Sequence, residues 1–124
     1  MRQFTEITKY QRQGFDVVVD QTYEDCINPS DVFEDVDVAE VCRKIDAGIY
    51  DWFMLRVRVM FEGHEFGSAY LGGCCYEDSR EVLTDGTAED LIEQALSEAK
   101  EEVSQMSQKL WALQMDLELS EMDA

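Results

Sequence analysis

Histidine and proline are almost absent from this chain, with His64 and Pro29 the only examples among 124 residues. A single proline argues against long disordered linkers. The lone histidine offers no His pair for a metal, and it falls in a polar turn where a solvated side chain is the simpler reading than a general base. Cations are scarce too: ten Lys and Arg stand against 28 Asp and Glu, a formal charge of −18. Phosphate contacts need clustered Lys and Arg, so direct nucleic-acid binding is not expected. No apolar run approaches the ~20 residues that span a bilayer. The opening Met-Arg-Gln-Phe-Thr-Glu has no apolar leader pattern. These absences point to a cytoplasmic protein with no membrane partner.

Catalytic signatures are missing as well. The sequence holds no phosphate-binding G-x-x-x-x-G-K-[ST] loop, G-x-G-x-x-G run, G-x-S-x-G elbow, EF-hand or H-E-x-x-H pattern. Cys26, Cys42, Cys74 and Cys75 form no C-x-x-C pair, and they read as small buried apolar residues of a reducing compartment. No enzyme activity, cofactor or metal is expected.

What is present patterns as one α+β domain over 1–124, large enough to fold around a core without disulfides or metal. Residues 3–12 fit a short helix with Phe4, Ile7 and Gln11 on one side, closed by Gly14. Residues 15–20 alternate as a strand, with Phe15, Val17 and Val19 on one face. Asn28-Pro29-Ser30-Asp31 marks a turn. Asp37-Val38-Ala39-Glu40 has capping-box spacing and opens a helix that stops at Gly48. Residues 50–61 form a central strand, with Phe53, Leu55, Val57, Val59 and Phe61 facing one way and Trp52, Met54, Arg56, Arg58 and Met60 the other. A tight turn at Glu62-Gly63 returns residues 66–75 antiparallel, with a bulge at Gly72-Gly73. A right-handed crossover would set residues 15–20 parallel to the central strand with the Asp37 helix over one face. The expectation is a small mixed sheet of about three strands, built on a central antiparallel hairpin and covered by helices.

The last third is the strongest pattern. From Ile92 the apolar residues Leu96, Ala99, Val103, Met106, Leu110, Leu113 and Leu117 alternate four and three apart, the seam of one long helix over 87–119. Thr87 reads as its N-cap. Such a helix is roughly 48 Å long, which outruns a body whose radius of gyration is about 14 Å. Leu91 and Ala95 widen the apolar stripe in its first turns, which suits a sheet. Beyond Val103 the stripe narrows, which suits another helix. The distal seam, Val103, Met106, Leu110, Leu113 and Leu117, is therefore expected to project and to pair with a partner helix or a second copy, a homodimer through this helix.

The acids gather in two tracts. The first includes Asp16, Asp20, Glu24, Asp25, Asp31, Glu34, Asp35, Asp37 and Glu40, and the second begins with Glu77, Asp78, Glu81 and Asp85. Such density approaches the charge spacing of a phosphate backbone, about one charge per 1.7 Å of duplex axis, and attracts a basic channel. Small size, strong acidity and the lack of a catalytic motif resemble the phage-encoded DNA mimics that disable bacterial defence, the anti-restriction and anti-CRISPR proteins. Residues 48–78, with Tyr50-Asp51-Trp52-Phe53 and Tyr70-Leu71-Gly72-Gly73-Cys74-Cys75-Tyr76, are also similar to small phage proteins. The resemblance implies a non-enzymatic anti-CRISPR inhibitor that binds a basic nucleic-acid-handling partner, a CRISPR effector or restriction enzyme, through the acidic tracts and blocks DNA recruitment. The alternative is a coiled-coil assembly module whose acidity only keeps it in solution.

Overall fold

The structure, a computed structural model, describes residues 3–33 and 37–122. In chain order its elements are β1 (Thr5–Arg12), β2 (Phe15–Tyr23), α1 (Pro29–Val32), α2 (Val38–Asp46), β3 (Asp51–Phe61), β4 (His64–Tyr76), a 3-10 helix (Ser79–Leu83) and α3 (Thr87–Met122). The strands make one four-stranded sheet in the order β1-β2-β3-β4, antiparallel throughout. The α+β class matches the pattern reading; the sheet has one strand more and is not mixed.

The extra strand is β1, where a helix was expected. Thr5, Ile7, Thr8 and Tyr10 are branched or aromatic and favour a pleated surface. Gln13 and Gly14 take φ of 55° and 88°, the two positive values of a type I′ hairpin turn. Gly14 thus closes a hairpin and not a helix. Ile7 reaches the core because a bulge between Glu6 and Thr8 turns it inward. Glu62 and Gly63 repeat the same turn, at 50° and 79°, between β3 and β4.

The expected parallel crossover is also absent. Residues 24–50 leave β2 and re-enter beside it, with Tyr23 paired to Phe53. A helix laid across the sheet would bury one face, yet none of the residues of α2 is buried. Its capping follows the sequence signals: the Asp37 carboxylate accepts from the Glu40 amide at 3.3 Å. At the other end Gly48 and Ile49 donate to the carbonyls of Ile45 and Lys44, the paired bonds of a Schellman stop.

One sheet face holds the core. Val17, Val19, Leu55, Val57 and Val59 are fully buried there, and Ala88, Leu91, Ile92, Ala95, Leu96 and Ala99 of α3 close over them. Thr87 is the first residue of the helix and not its cap; the preceding Gly86 takes the cap position, its carbonyl accepting from the Asp90 amide at 3.1 Å. The Asp85 carboxylate accepts from the Thr87 amide at 2.9 Å, and the Thr87 hydroxyl lies 3.0 Å from that of Tyr76. Gly67 lets the α3 backbone seat directly on β4.

The opposite face is only partly covered, so the expectation of a sheet covered by helices holds for one face alone. Trp52 is buried beside Phe33, with ring centroids 6.2 Å apart, while Met54 and Met60 stay half-buried without α2 above them. Arg56 donates to both oxygens of Asp20 at 2.8 and 2.7 Å, and Arg58 adds a bond at 3.3 Å. The expected bulge is present, since Leu55 pairs with Leu71 and Phe53 with Cys74, which leaves β4 one residue longer. Among the described residues, no helix is long and apolar enough to cross a membrane.

Candidate functional site

Because β2, β3 and β4 alternate in direction, Tyr23, Asp51 and Tyr76 all lie at one end of the sheet. The excursion 24–50 and the connection 77–86 both emerge there. The two tracts, separate in sequence, thereby meet at one acidic pole. The Ser79 amide donates to Asp51 at 3.1 Å and ties them together.

Asp25, Asp31, Asp37, Asp46, Asp51, Glu77, Asp78, Glu81 and Asp85 are exposed at this pole. Glu40 is half-buried and pairs with Arg43. Several also hold local structure: Asp31 accepts from the Asn28 amide at 3.3 Å, and Asp78 from the Arg80 amide at 2.9 Å. Nearby cations are partly engaged. Arg80 donates to the Ile7 carbonyl at 3.0 Å, and Lys44 lies 5.2 Å from the Tyr50 ring centroid. Between the tracts sits a hollow of about 330 Å³ floored by Phe33, Val41, Tyr50, Cys75 and Tyr76, with Glu77 and Glu81 among its lining residues. An apolar floor with carboxylates beside it suits the stem and head of a Lys or Arg side chain.

Five acids assigned to the surface tracts stand elsewhere or outside the description. Asp20 is 3% exposed and committed to Arg56 and Arg58. Glu24 is equally buried, and its carboxylate accepts from the amides of Cys26, Ile27 and Gly73 at 2.9 to 3.2 Å, which clamps the loop onto the β4 bulge. Neither can meet a partner, because in each case an internal donor set already surrounds the charge. Glu34 and Asp35 fall outside the described residues. Asp16 lies near the hairpin end of the sheet, within 3.4 Å of Gln11 Nε2 and away from the pole.

Among the described residues one group has metal-ligand proximity: Glu24, Asp25 and Cys26 place ligand atoms within 4.8 Å of one another. The three amides on Glu24 already satisfy its oxygens, so these residues make no built cation site. Of the four cysteines expected inside, Cys74 is buried, Cys42 and Cys75 are half-buried and Cys26 is exposed, on the excursion after β2. Burial pushes the Cys74 thiol up to about 11, which keeps it protonated at neutral pH and consistent with a packing role.

Tyr76 and Asp85 are held in opposite directions from their ordinary pKa values. The Tyr76 hydroxyl donates to Asp85 at 2.5 Å. That bond, with the Thr87 amide second, holds the Asp85 carboxyl below its ordinary value of 3.8. Burial, then the bond to Asp85, holds the tyrosine up. A depressed carboxyl stabilises the fold above its ordinary value, and that contribution is lost as pH falls through the lower folded value. Tyr76→Phe is therefore expected to move the Asp85 titration upward in a carboxyl-detected NMR experiment. The stability gap between the two proteins should shrink on acidification; an unmoved titration would remove Tyr76 as the cause.

The distal seam lies at the other end of the molecule. Every residue of 100–122 is exposed, with Leu110 at 58% and Leu117 at 56%. Val103 lines an apolar notch of about 200 Å³ with Gln13, Gly14, Phe15 and Phe61, so α3 leaves the body at its hairpin end. A second stripe, Trp111, Met115, Leu119 and Met122, is exposed as well. Its 4-4-3 spacing is readable in the sequence but is masked by the heptad beside it.

The fold and its surfaces thus define a small α+β protein with an acidic pole and a protruding apolar helix. Compared with known protein families, curated proteins and solved structures, the chain matches none.

Proposed function

We propose that this chain is a non-enzymatic binding protein whose acidic pole occupies the basic, nucleic-acid-handling surface of a partner, acting as a phage anti-defence inhibitor of the anti-CRISPR kind in the host bacterial cytoplasm. The observation that carries the reading is the convergence of residues 24–50 and 77–86 at one end of the sheet. Convergence turns two sequence tracts into one continuous negative surface, and a charged surface of one sign steers an oppositely charged partner and speeds its docking. Neither cofactor nor metal takes part.

The test uses Asp46, Glu77 and Glu81, which are exposed and whose carboxylates take no part in the caps described above. Changing all three to Lys is expected to weaken capture of a CRISPR effector or restriction complex by at least about tenfold. It should also flatten the salt dependence of binding. The DNA-free complex should be retained by the native chain and lose its hold on DNA. Capture that is indifferent to these charges would remove the pole from the mechanism.

A second reading, the coiled-coil assembly module, is favoured by the exposed seam of α3. It predicts that Leu110→Lys with Leu113→Lys abolishes function while the acidic changes do not.

A further inference from the structure

From the geometry of α3 we infer that two copies of this chain pair antiparallel, tail to tail, through the distal seam, each helix tip reaching the apolar notch at the base of the other. The inference is independent of what the acidic pole binds.

Charge selects the occupant. In a chain of 28 acids, residues 103–115 contain none, and their single charge is Lys109. Two bodies of such high negative charge repel each other over most of their surfaces, and this stretch is where they can meet without setting acid against acid. Along the seam Leu110, Leu113 and Leu117 are each more than half exposed, a contiguous apolar stripe of the kind that marks an interaction surface. The notch then supplements the seam.

Geometry selects the direction. The seam residues continue the same helix face that carries Leu91, Ile92, Ala95, Leu96 and Ala99 into the core. The body of each chain therefore lies on the seam side of its own helix. In a parallel pair both bodies would claim the same space at the same level. Reversing one helix separates them, and it also moves the two acidic poles as far apart as the assembly allows. In that arrangement Leu117 of one copy approaches Val103 of the other. Phe15 and Phe61, beside the Gln13-Gly14 turn, form a recess there, and Phe61 is 48% exposed in the single chain. An apolar recess at the root of a projecting apolar seam is what a second copy's tip would fill.

The opposite stripe supplies an internal control. At about 100° per residue, Trp111, Met115, Leu119 and Met122 centre roughly 150° around the helix from the seam, so a seam dimer leaves Trp111 in water. Trp52 is already buried, and any change of emission with concentration reports Trp111.

The experiment is sedimentation equilibrium and small-angle scattering on the full chain alone, with Trp emission followed across the same concentrations. The expected result is a dimer at high micromolar concentration, an elongated particle of roughly 80 Å, and unshifted Trp111 emission. Leu110→Glu with Leu113→Glu, both at sites exposed in the single chain, should weaken association at least roughly 100-fold. Phe61→Gln should weaken it less, and both variants should keep the native circular dichroism. A chain that stays monomeric throughout overturns the inference. So does a dimer indifferent to the Leu110 and Leu113 changes, a compact particle with the two bodies side by side, or a blue shift of Trp111 on association.

Discussion

Replacing Asp20 with Ala is expected to lower the unfolding free energy by about 3 kcal/mol, the scale for leaving charge uncompensated inside a structure. Asp20 pairs with both guanidiniums, and its side chain is 4% exposed against 17% for Arg56 and 29% for Arg58. Its bidentate bond raises the Arg56 guanidinium above its ordinary value, against the opposing effect of burial. The Phe4 ring lies 3.5 Å from the guanidinium carbon, so Arg56 is held on two sides. Without Asp20 the two cations remain on adjacent outward positions of β3 and repel each other. Asp20→Asn keeps the shape but loses the charge, and should fall between the native protein and the Ala variant. Arg58→Met is the contrasting case. Its single bond to Asp20 is long, and its Nε is buried with no hydrogen-bond partner. Exchanging it for an apolar side chain should change stability by less than about 1 kcal/mol. Urea unfolding with unchanged slope measures all three. Equal losses for Asp20→Ala and Arg58→Met would show that the three residues do not act as described.

The second large effect is at Gly67. A Cβ built there falls 2.1 Å from the Ala95 carbonyl oxygen and 2.9 Å from the Ala99 amide nitrogen. Both obstacles are helix backbone, which cannot rotate aside as a side chain would, so α3 must lift from β4. Overpacking of this kind costs up to about 3 kcal/mol, and here the displaced element closes the whole core face. Gly67→Ala should lower the thermal midpoint by at least about 10 °C, and Gly67→Val further. Gly14→Ala separates crowding from backbone conformation. Gly14 has a positive φ of 88° and nothing within 4 Å of an added Cβ, so only the conformational penalty applies, about 1 kcal/mol. An unchanged midpoint for Gly67→Ala would mean that the helix is not seated at that point.

How far the sequence could be read varies by element. The alternation in β3 is legible because one of its faces is buried from Phe53 to Val59 and the other is not. The two caps of α2 were legible because Asp37 and Gly48 act within one turn of the helix. The misreading of β1 has a specific cause. Phe4, Ile7 and Gln11 lie at helical spacing, but the bulge at Ile7 breaks the strand's alternation and hides its period. Asp20 and Glu24 were counted as surface because acids usually are, and nothing local to either residue names its partners. Arg56 lies 36 positions from Asp20, and Gly73 lies 49 from Glu24.

The sequence by itself determined the long C-terminal helix, the hairpin turn at Glu62-Gly63, the inward face of the central strand and the total charge. Each of these is decided by neighbours within a few residues, through periodicity, capping and backbone conformation. Tertiary structure alone decided that the excursion 24–50 returns beside β2, that Asp20 and Glu24 turn inward while the exposed acids of 25–51 and 77–85 that the structure describes gather at one end, and that α3 leaves the body at the opposite end. Those outcomes depend on strand direction and on pairing between distant residues. Local preference is silent about both, and only the closing of one core against α3 selects them.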